Sequence, residues 1–447
     1  MRNPKIGVVS LGCPKNATDT EVMLGLLQES GFQVTFDNDE ADICLVNTCS
    51  FIEDARRESV KTLVELACQG KELIIAGCLA QHFKDELLQE IPEARAVVGT
   101  GDIHKIVEVM KAVAEDSSLR VVEVSDTPND HEQDLMPRMQ TGLGAFAYLK
   151  IAEGCDHNCS FCIIPILRGR FRSRTIESLV KEARVLVAGG VREIILISQD
   201  STYYGLDLYG KPALPELLEA LHEIEDLDWI RIMYFYPTEA TERLLETMAR
   251  LPKVVKYVDI PLQHSHPEIL SSMARPRNPA SVVERIRRLV PEVAIRSTFI
   301  VGFPGETEEH FQHLAEFIQE HRFDRLGVFT YSRQMEVASG HMPDQVPERV
   351  KRQRRSRIMQ IQHSISTERN RSLVGQEIEV LVEGFDQAKR MYFGRSQWDA
   401  PNIDNLVYVR DGDASQVQIG DFARVRVDQA KPYDLIGTAL PEPVTCR

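Results

Sequence analysis

Ala147-Tyr148-Leu149-Lys150-Ile151-Ala152-Glu153-Gly154-Cys155-Asp156-His157-Asn158-Cys159-Ser160-Phe161-Cys162 passes from an apolar, strand-like run into a short loop that carries three cysteines. Five more strand-like runs follow at helix-sized intervals: Glu193 to Ser198, Trp229 to Phe235, Tyr257 to Pro261, Ala294 to Val301 and Arg325 to Thr330. Six β-runs, each followed by a helical pattern, predict a partial or closed (β/α)6 barrel. The helix between the last two shows Phe311, Leu314, Phe317 and Ile318 on one face, and its opening Thr307, Glu308 and Glu309 suit a helix N-terminus.

In such barrels chemistry gathers where strands end, and the C-x3-C-x2-C run stands at the first of those ends. Three thiolates on one tight loop can hold three irons of a cubane cluster, whose full ligation takes four, so one iron stays open to a ligand. A structural zinc site would want a fourth Cys or His, and His157 offers one. Phe161 before the last cysteine favours the cluster. The other strand ends read Gln199-Asp200, Tyr236-Pro237, Gln263-His264 and Tyr331-Ser332, which fit cofactor or substrate contacts and equally fit caps on the sheet edge. Arg296 lies inside the fifth strand, where a buried charge needs a carboxylate partner. Gly189-Gly190 precedes the second strand and Gly302-Phe303-Pro304-Gly305-Glu306 follows the fifth; each is also an ordinary helix end or turn.

Upstream, from Lys5 to about Lys111, short apolar runs alternate with helical patterns, as in an open, largely parallel α/β sheet. Thr18 with Glu21 reads as a capping box, and Gly31 fits the position past a helix end. Cys13, Cys49 and Cys78 each follow a strand, and the carboxyl ends of parallel strands share one edge, so three distant cysteines converge where helix N-termini favour anions. Cys44, Cys68 and Cys446 read as packing or incidental residues. Periodicity fades after Ser117, and Ser125 to Asp130 is turn-rich, so the expected division is 1–116, a linker at 117–140, a barrel over 141–371 and a small all-β barrel over 372–440. Lys351, Arg352, Arg354, Arg355 and Arg357 crowd one helix, either a solvated surface or a binding surface.

The chain's 447 residues suit two or three domains, and a formal charge of −15 argues against a generic phosphate-neutralising nucleic-acid binder. No apolar run approaches the roughly 18 residues of a membrane span, and no signal-peptide core opens the chain, so the cytoplasm is expected, with no membrane partner. Nine cysteines in this length do not look like a secreted disulfide scaffold.

The Cys155, Cys159, Cys162 spacing resembles the radical S-adenosylmethionine superfamily, which implies a 4Fe-4S cluster whose open iron chelates the methionine moiety of that cofactor. Phe161, Gln199 and Arg296 are read as further cofactor contacts, and the resemblance implies Gly189 and Gly190 beside the methionine and Gly302 beside the adenine. Both cysteine trios together with the β-barrel tail resemble the methylthiotransferase family across nearly the whole chain. That implies two 4Fe-4S clusters, the auxiliary one on Cys13, Cys49 and Cys78, and a substrate-binding TRAM domain. Ser10-Leu11-Gly12-Cys13-Pro14-Lys15-Asn16 and Asp399-Ala400-Pro401-Asn402-Ile403-Asp404 resemble the branch that acts on an aspartate of small-subunit ribosomal protein S-twelve, alone or in the assembling subunit. Asn402 and Asn405 stand where an acidic residue and a glycine are expected, and Trp398 is unusual. An electron donor such as flavodoxin or ferredoxin and a sulfur donor are implied partners. The rivals are the branch that modifies tRNA adenosines and a non-catalytic zinc-bearing ribosome adaptor. Independently of resemblance, Ser372 to Arg447 holds eight Lys or Arg against twelve Asp or Glu, which suits a basic protein partner better than RNA. Arg390, Arg395, Arg424 and Arg426 could still cluster on one face.

Overall fold

The computed structural model of the chain describes residues 4–116, 118–126, 136–142, 144–412 and 417–441. The first sheet contains β1 (Lys5–Ser10), β2 (Gln33–Thr35), β3 (Ile43–Thr48), β4 (Glu72–Gly77), β5 (Ala94–Val98) and β6 (Val121–Glu123), all parallel, in the order β2-β1-β3-β4-β5-β6. Its central strands are apolar on both faces because each face is covered. Leu45, Ile74 and Val98 pack with Met23 and Met110 on one side, while Val46, Ile75 and Val97 pack with Leu63 and Leu79 on the other. Cys44 is buried in that second core and Cys68 is exposed, whereas Cys446 and the turn-rich Thr127 to Asp130 lie outside the described residues.

Two local expectations change. The helix Pro14–Glu29 starts four residues before Thr18, with Cys13 at its N-cap and Pro14 at its first position, where a missing N–H costs nothing. Thr18 is no cap: its hydroxyl donates back to Pro14 O. The stretch read as a linker contributes β6, a short strand that completes the first sheet.

The large barrel has six parallel strands: β7 (Phe146–Lys150), then, after the short pair β8 (Ala152–Glu153) and β9 (Arg172–Ser173), β10 (Glu193–Ile197), β11 (Trp229–Ile232), β12 (Tyr257–Asp259), β13 (Ala294–Val301) and β14 (Arg325–Thr330). They form two groups, β11-β10-β7 and β12-β13-β14, joined by Val255 N–H to Ile230 O and Phe235 N–H to Asp259 O. β7 and β14 do not pair, so the barrel is open between them. The helix Pro14–Glu29 packs on β7 and the long helix Glu348–Ser372 packs on β14. On that long helix Lys351 and Arg354 point inward to Tyr331 O and Glu306, while Arg352, Arg355 and Arg357 face solvent.

The last five strands, β15 (Glu377–Asp386), β16 (Met391–Arg395), β17 (Val407–Arg410), β18 (Phe422–Ala430) and β19 (Leu435–Ala439), close into the expected small barrel around Val380, Val382, Val409, Val425 and Val427. This barrel docks under the floor of the large one, at the amino ends of its strands. Arg395 reaches Glu193 (2.6 Å) and Glu383, Asp399 takes Arg325 (2.5 Å), and Asp404 accepts from Tyr257 (2.6 Å). Asn402 lies at φ +67°, a left-handed conformation that Asn tolerates better than an acidic or branched residue. No described helix is long and apolar enough to cross a membrane.

Candidate active site

The cysteine loop is shaped by Gly154 (φ +79°), where a Cβ would stand 2.0 Å from Arg170 O, so only glycine lets the chain fold back here. Cys155 N–H donates to Gly169 O (3.1 Å), and Cys162 N–H to Cys159 O (3.1 Å). Ser160 ties the loop to the segment after β12, its N–H to Met273 O and its hydroxyl to Ser272 O (2.7 Å). His157 is held by Asp200, whose Oδ2 lies 2.6 Å from its Nε2, and its ring stacks on Tyr236 with centroids 3.6 Å apart. Arg275 lies over the same tyrosine and brings Nη1 to 3.8 Å from Cys159 Sγ.

Burial, and then the neighbouring thiols, push Cys162 up to about 12; burial, then Asp200 and the neighbouring thiols, push Cys155 up to about 11. Cys155 and Cys162 thus resist ionisation until a metal shares the charge, which is the condition for thiolate ligation.

Gln199, at the end of β10, donates to Glu153 Oε1 (2.5 Å) and leaves its own Oε1 buried without a partner among the described residues. An orphaned acceptor beside the cysteine loop fits a ligand that brings N–H or O–H donors, as the amino and ribose groups of S-adenosylmethionine do. Phe161 packs against a cluster of Ile269, Met273, Phe303 and Tyr331, beside the Gly302 loop. Gly302 (φ +76°) and Phe303 donate their N–H groups to Glu306 Oε2, and a Cβ on Gly302 would strike Lys351 at 2.2 Å.

Two expected contacts are displaced. Gly189 caps the helix Ile176–Ala188 and Gly190 (φ +101°) begins the turn into β10, so both stand at the floor of the barrel, the opposite rim from the cysteines. A parallel strand carries the chain from floor to rim, so residues before it cannot share the site of residues after it. Arg296 points into the barrel, and its guanidinium is taken by Asp259 (2.8 Å) and Asp404 (3.4 Å); it links the two barrels.

The N-terminal trio converges as expected. Cys13 caps the helix Pro14–Glu29, Cys78 opens the helix Cys78–Phe83, and Cys49 follows β3, its N–H bonded to Ser59 Oγ (3.0 Å). Gly12 (φ +92°) and Gly77 (φ +90°) form the cradle: a Cβ would stand 2.7 Å from Cys49 Cβ at the first and 2.1 Å from Asn47 Oδ1 at the second. Burial and then the Cys78 thiol push Cys49 up to about 12. Among the described residues, the sulfurs of neither trio all lie within 4.8 Å of one another. Thiolates at ~2.3 Å around one tetrahedral zinc would be only ~3.8 Å apart. As they stand, then, neither trio is drawn together tightly enough to enclose a single tetrahedral ion.

The two trios are neighbours. Directly after Cys162, Ile163 and Leu167 on the helix Ile164–Arg168 pack with Cys78 and Val337. Arg168, fully buried, bonds Asn16 Oδ1 (2.6 Å), Asp19 (3.2 Å) and Glu153 (2.8 Å), and Lys150 bridges the same two carboxylates. Although burial alone would raise it, Glu153 is held well below the usual carboxylate range by Arg168 and then Lys150. Sequence reading placed Lys15 and Asn16 in a branch motif without giving them a role, and it assigned none to Asp19, Glu153 and Arg168. Their one visible signal is the polar spacing of Lys15, Asn16, Asp19 and Thr20 on a face that the fold buries. Lys15 Nζ lies 3.2 Å over the ring of Tyr234, itself held at φ +63° with its N–H on Asp259.

Models of the radical SAM superfamily match residues 149–318, of the uncharacterized protein family UPF0004 residues 5–99, and of the TRAM domain residues 374–440. A ribosomal protein uS12 methylthiotransferase RimO of Synechococcus sp. (strain JA-3-3Ab) is 52% identical over 443 residues, 98% of this chain and 95% of that protein. The chain belongs to the uS12 methylthiotransferase family. RimO of Gloeobacter violaceus is likewise 52% identical, over 97% of this chain and 98% of its own. Members of this family share their fold with more distant proteins. The radical S-adenosylmethionine methyltransferase TsrM of Kitasatospora setae, solved with cobalamin and an iron–sulfur cluster bound, is 17% identical with a TM-score of 0.58, covering 76% of this chain and 77% of its own. The cobalamin-dependent radical enzyme OxsB, at 13% and 0.52, covers 81% and 56%. As a radical SAM methylthiotransferase the chain is a transferase, with an iron–sulfur cluster and S-adenosylmethionine as the cofactors of its core.

Proposed function

We propose that this chain methylthiolates the β-carbon of an aspartate in ribosomal protein uS12. The observation that carries the reading is the placement of two cysteine trios on either side of one five-residue helix, Ile164–Arg168, in a chain half identical to uS12 methylthiotransferases along nearly all its length. Cys155, Cys159 and Cys162 would hold the cluster that, with S-adenosylmethionine bound and one electron supplied, provides a 5′-deoxyadenosyl radical able to take hydrogen from an unactivated carbon. Gln199 would orient the cofactor, itself fixed by Glu153; Phe161, Phe303 and Tyr331 would keep water from it. Cys13, Cys49 and Cys78 are assigned to a second 4Fe-4S cluster beside which sulfur is inserted, and a second S-adenosylmethionine is the methyl source. Flavodoxin or ferredoxin as electron donor, a separate sulfur donor and a cytoplasmic setting complete the proposal, as do boundaries near residues 116, 140 and 371.

A protein substrate is favoured over tRNA by the charges of the small barrel. Arg395 is buried in its ion network, and of the exposed Arg390, Arg424 and Arg426 the last two lie beside Glu377 and Asp428, so little of this basic charge is unopposed. The test is mass spectrometry of small-subunit ribosomal proteins from cells with and without the gene. Loss of one methylthio group from an aspartate of uS12 is expected; unchanged masses with loss of a methylthioadenosine from tRNA would overturn the reading. Anoxically purified protein should be brown and contain sulfide, which zinc alone cannot give.

A further inference from the structure

Lys15 is 7% exposed, yet among the described residues it has no carboxylate within ion-pair distance and no hydrogen-bond acceptor. Its ammonium rests on the Tyr234 ring at 3.2 Å, with Glu153, Asp259, Arg168 and Cys13 as its charged surroundings. Both nearby carboxylates are already engaged. Glu153 Oε2 takes Lys150 and Arg168, and its Oε1 takes Gln199 and Gly154 N–H. Asp259 takes Arg296 on one oxygen and Tyr234 N–H on the other. Lys150 and Arg168 match Asp19 and Glu153, so Lys15 keeps no carboxylate of its own among the described residues, and a buried ammonium favours one.

Its position narrows what that anion is. The Lys15 backbone lies two residues from Cys13, on the first turn of the helix capped by that cysteine, while its side chain reaches the strand-end residue Tyr234 of the large barrel. It therefore spans the ground between the two trios, where a carbon must lie to lose hydrogen to one centre and gain sulfur from the other. We infer that Lys15 is the specificity-determining residue that binds the carboxylate of the target aspartate. This rests on the uS12 reading above. In aspartate the carboxylate carbon is bonded to the β-carbon, so a cation on the carboxylate fixes the reacting atom to within one bond. Asparagine, with no charge to offer, would be rejected at the same place.

The test is a two-by-two comparison with the clusters loaded: wild-type and Lys15→Gln enzyme, each against uS12 and against uS12 whose target aspartate is replaced by asparagine. Affinity is read by titration calorimetry and turnover by mass spectrometry. Lys15→Gln should weaken binding of natural uS12 by about 10- to 100-fold, the range for a lost charge-assisted hydrogen bond, while hardly changing binding of the asparagine form. Iron and sulfide content should stay at the wild-type level, and Lys15→Arg should restore part of the preference. An equal loss toward both substrates, an unchanged preference for aspartate, or loss of iron from the N-terminal trio would overturn the assignment while leaving the uS12 function intact. A wild-type enzyme inert toward uS12 would overturn both.

Discussion

Arg168 is joined to Asn16 and Asp19, more than a hundred positions away, and its removal would leave the two buried carboxylates of Asp19 and Glu153 sharing the single charge of Lys150. Breaking a buried ion network by deleting one partner typically costs about 3–5 kcal/mol. Arg168→Met is expected to lower the urea midpoint by a corresponding amount with an unchanged m-value. The cysteines should separate by function instead. Cys159→Ala should abolish S-adenosylmethionine cleavage, whereas Cys49→Ala should leave cleavage running with no sulfur inserted, measured as 5′-deoxyadenosine formed without methylthiolated product. If the Cys49→Ala enzyme methylthiolated at the wild-type rate, the assignment of two centres would fail. Both trios were legible in the sequence because spacing and position after a strand are local properties. Arg168 and Lys15 were not, since nothing near them in the chain announces that Asp19 or Tyr234 will face them.

At the scale of elements, Arg138 adds a further tie between the first sheet and the large barrel, reaching Glu21 on the helix Pro14–Glu29 and Glu182 on the helix Ile176–Ala188. Burial alone would raise the Glu182 carboxyl, but Arg174 and then Arg138 outweigh it and hold it below the usual range. A depressed carboxyl stabilises the fold above its unfolded value of about 4.3 and loses that contribution as pH falls through the folded value. Wild-type protein should therefore be more stable than Glu182→Gln near neutral pH, and thermal unfolding followed from pH 6 to pH 3 should show the gap closing. All six large-barrel strands were visible from their apolar runs, and the small barrel from its alternation. Gly189-Gly190 was misplaced because a glycine pair looks the same at either rim, and only the direction of the strand that follows decides which. β6 escaped notice because three residues in a polar stretch carry no period.

Across the whole molecule, the two barrels share a floor of buried charges. Glu193, Arg231, Arg296 and Arg325 come from the large barrel; Glu383, Arg395, Asp399 and Asp404 come from the small one. The tail stretch Asp399 to Asp404 thus forms a dock between the barrels. Ending the chain at Arg371 should leave Arg325 without Asp399 and Glu193 without Arg395. Such a protein is expected to unfold well below the full-length chain in a thermal melt, or to accumulate only as aggregate, rather than behave as a free-standing catalytic core. A truncated chain with wild-type stability would show that the floor is held some other way.

That shared floor also imposes an order in time. Arg325 leaves the ribosome 74 residues before Asp399, so at roughly 5–20 residues per second the barrel waits on the order of ten seconds with its lower charges facing solvent. A message cut short within that interval yields a chain in which Arg325 and Glu193 never meet Asp399 and Arg395. Finishing translation is then the step that closes the floor of the large barrel.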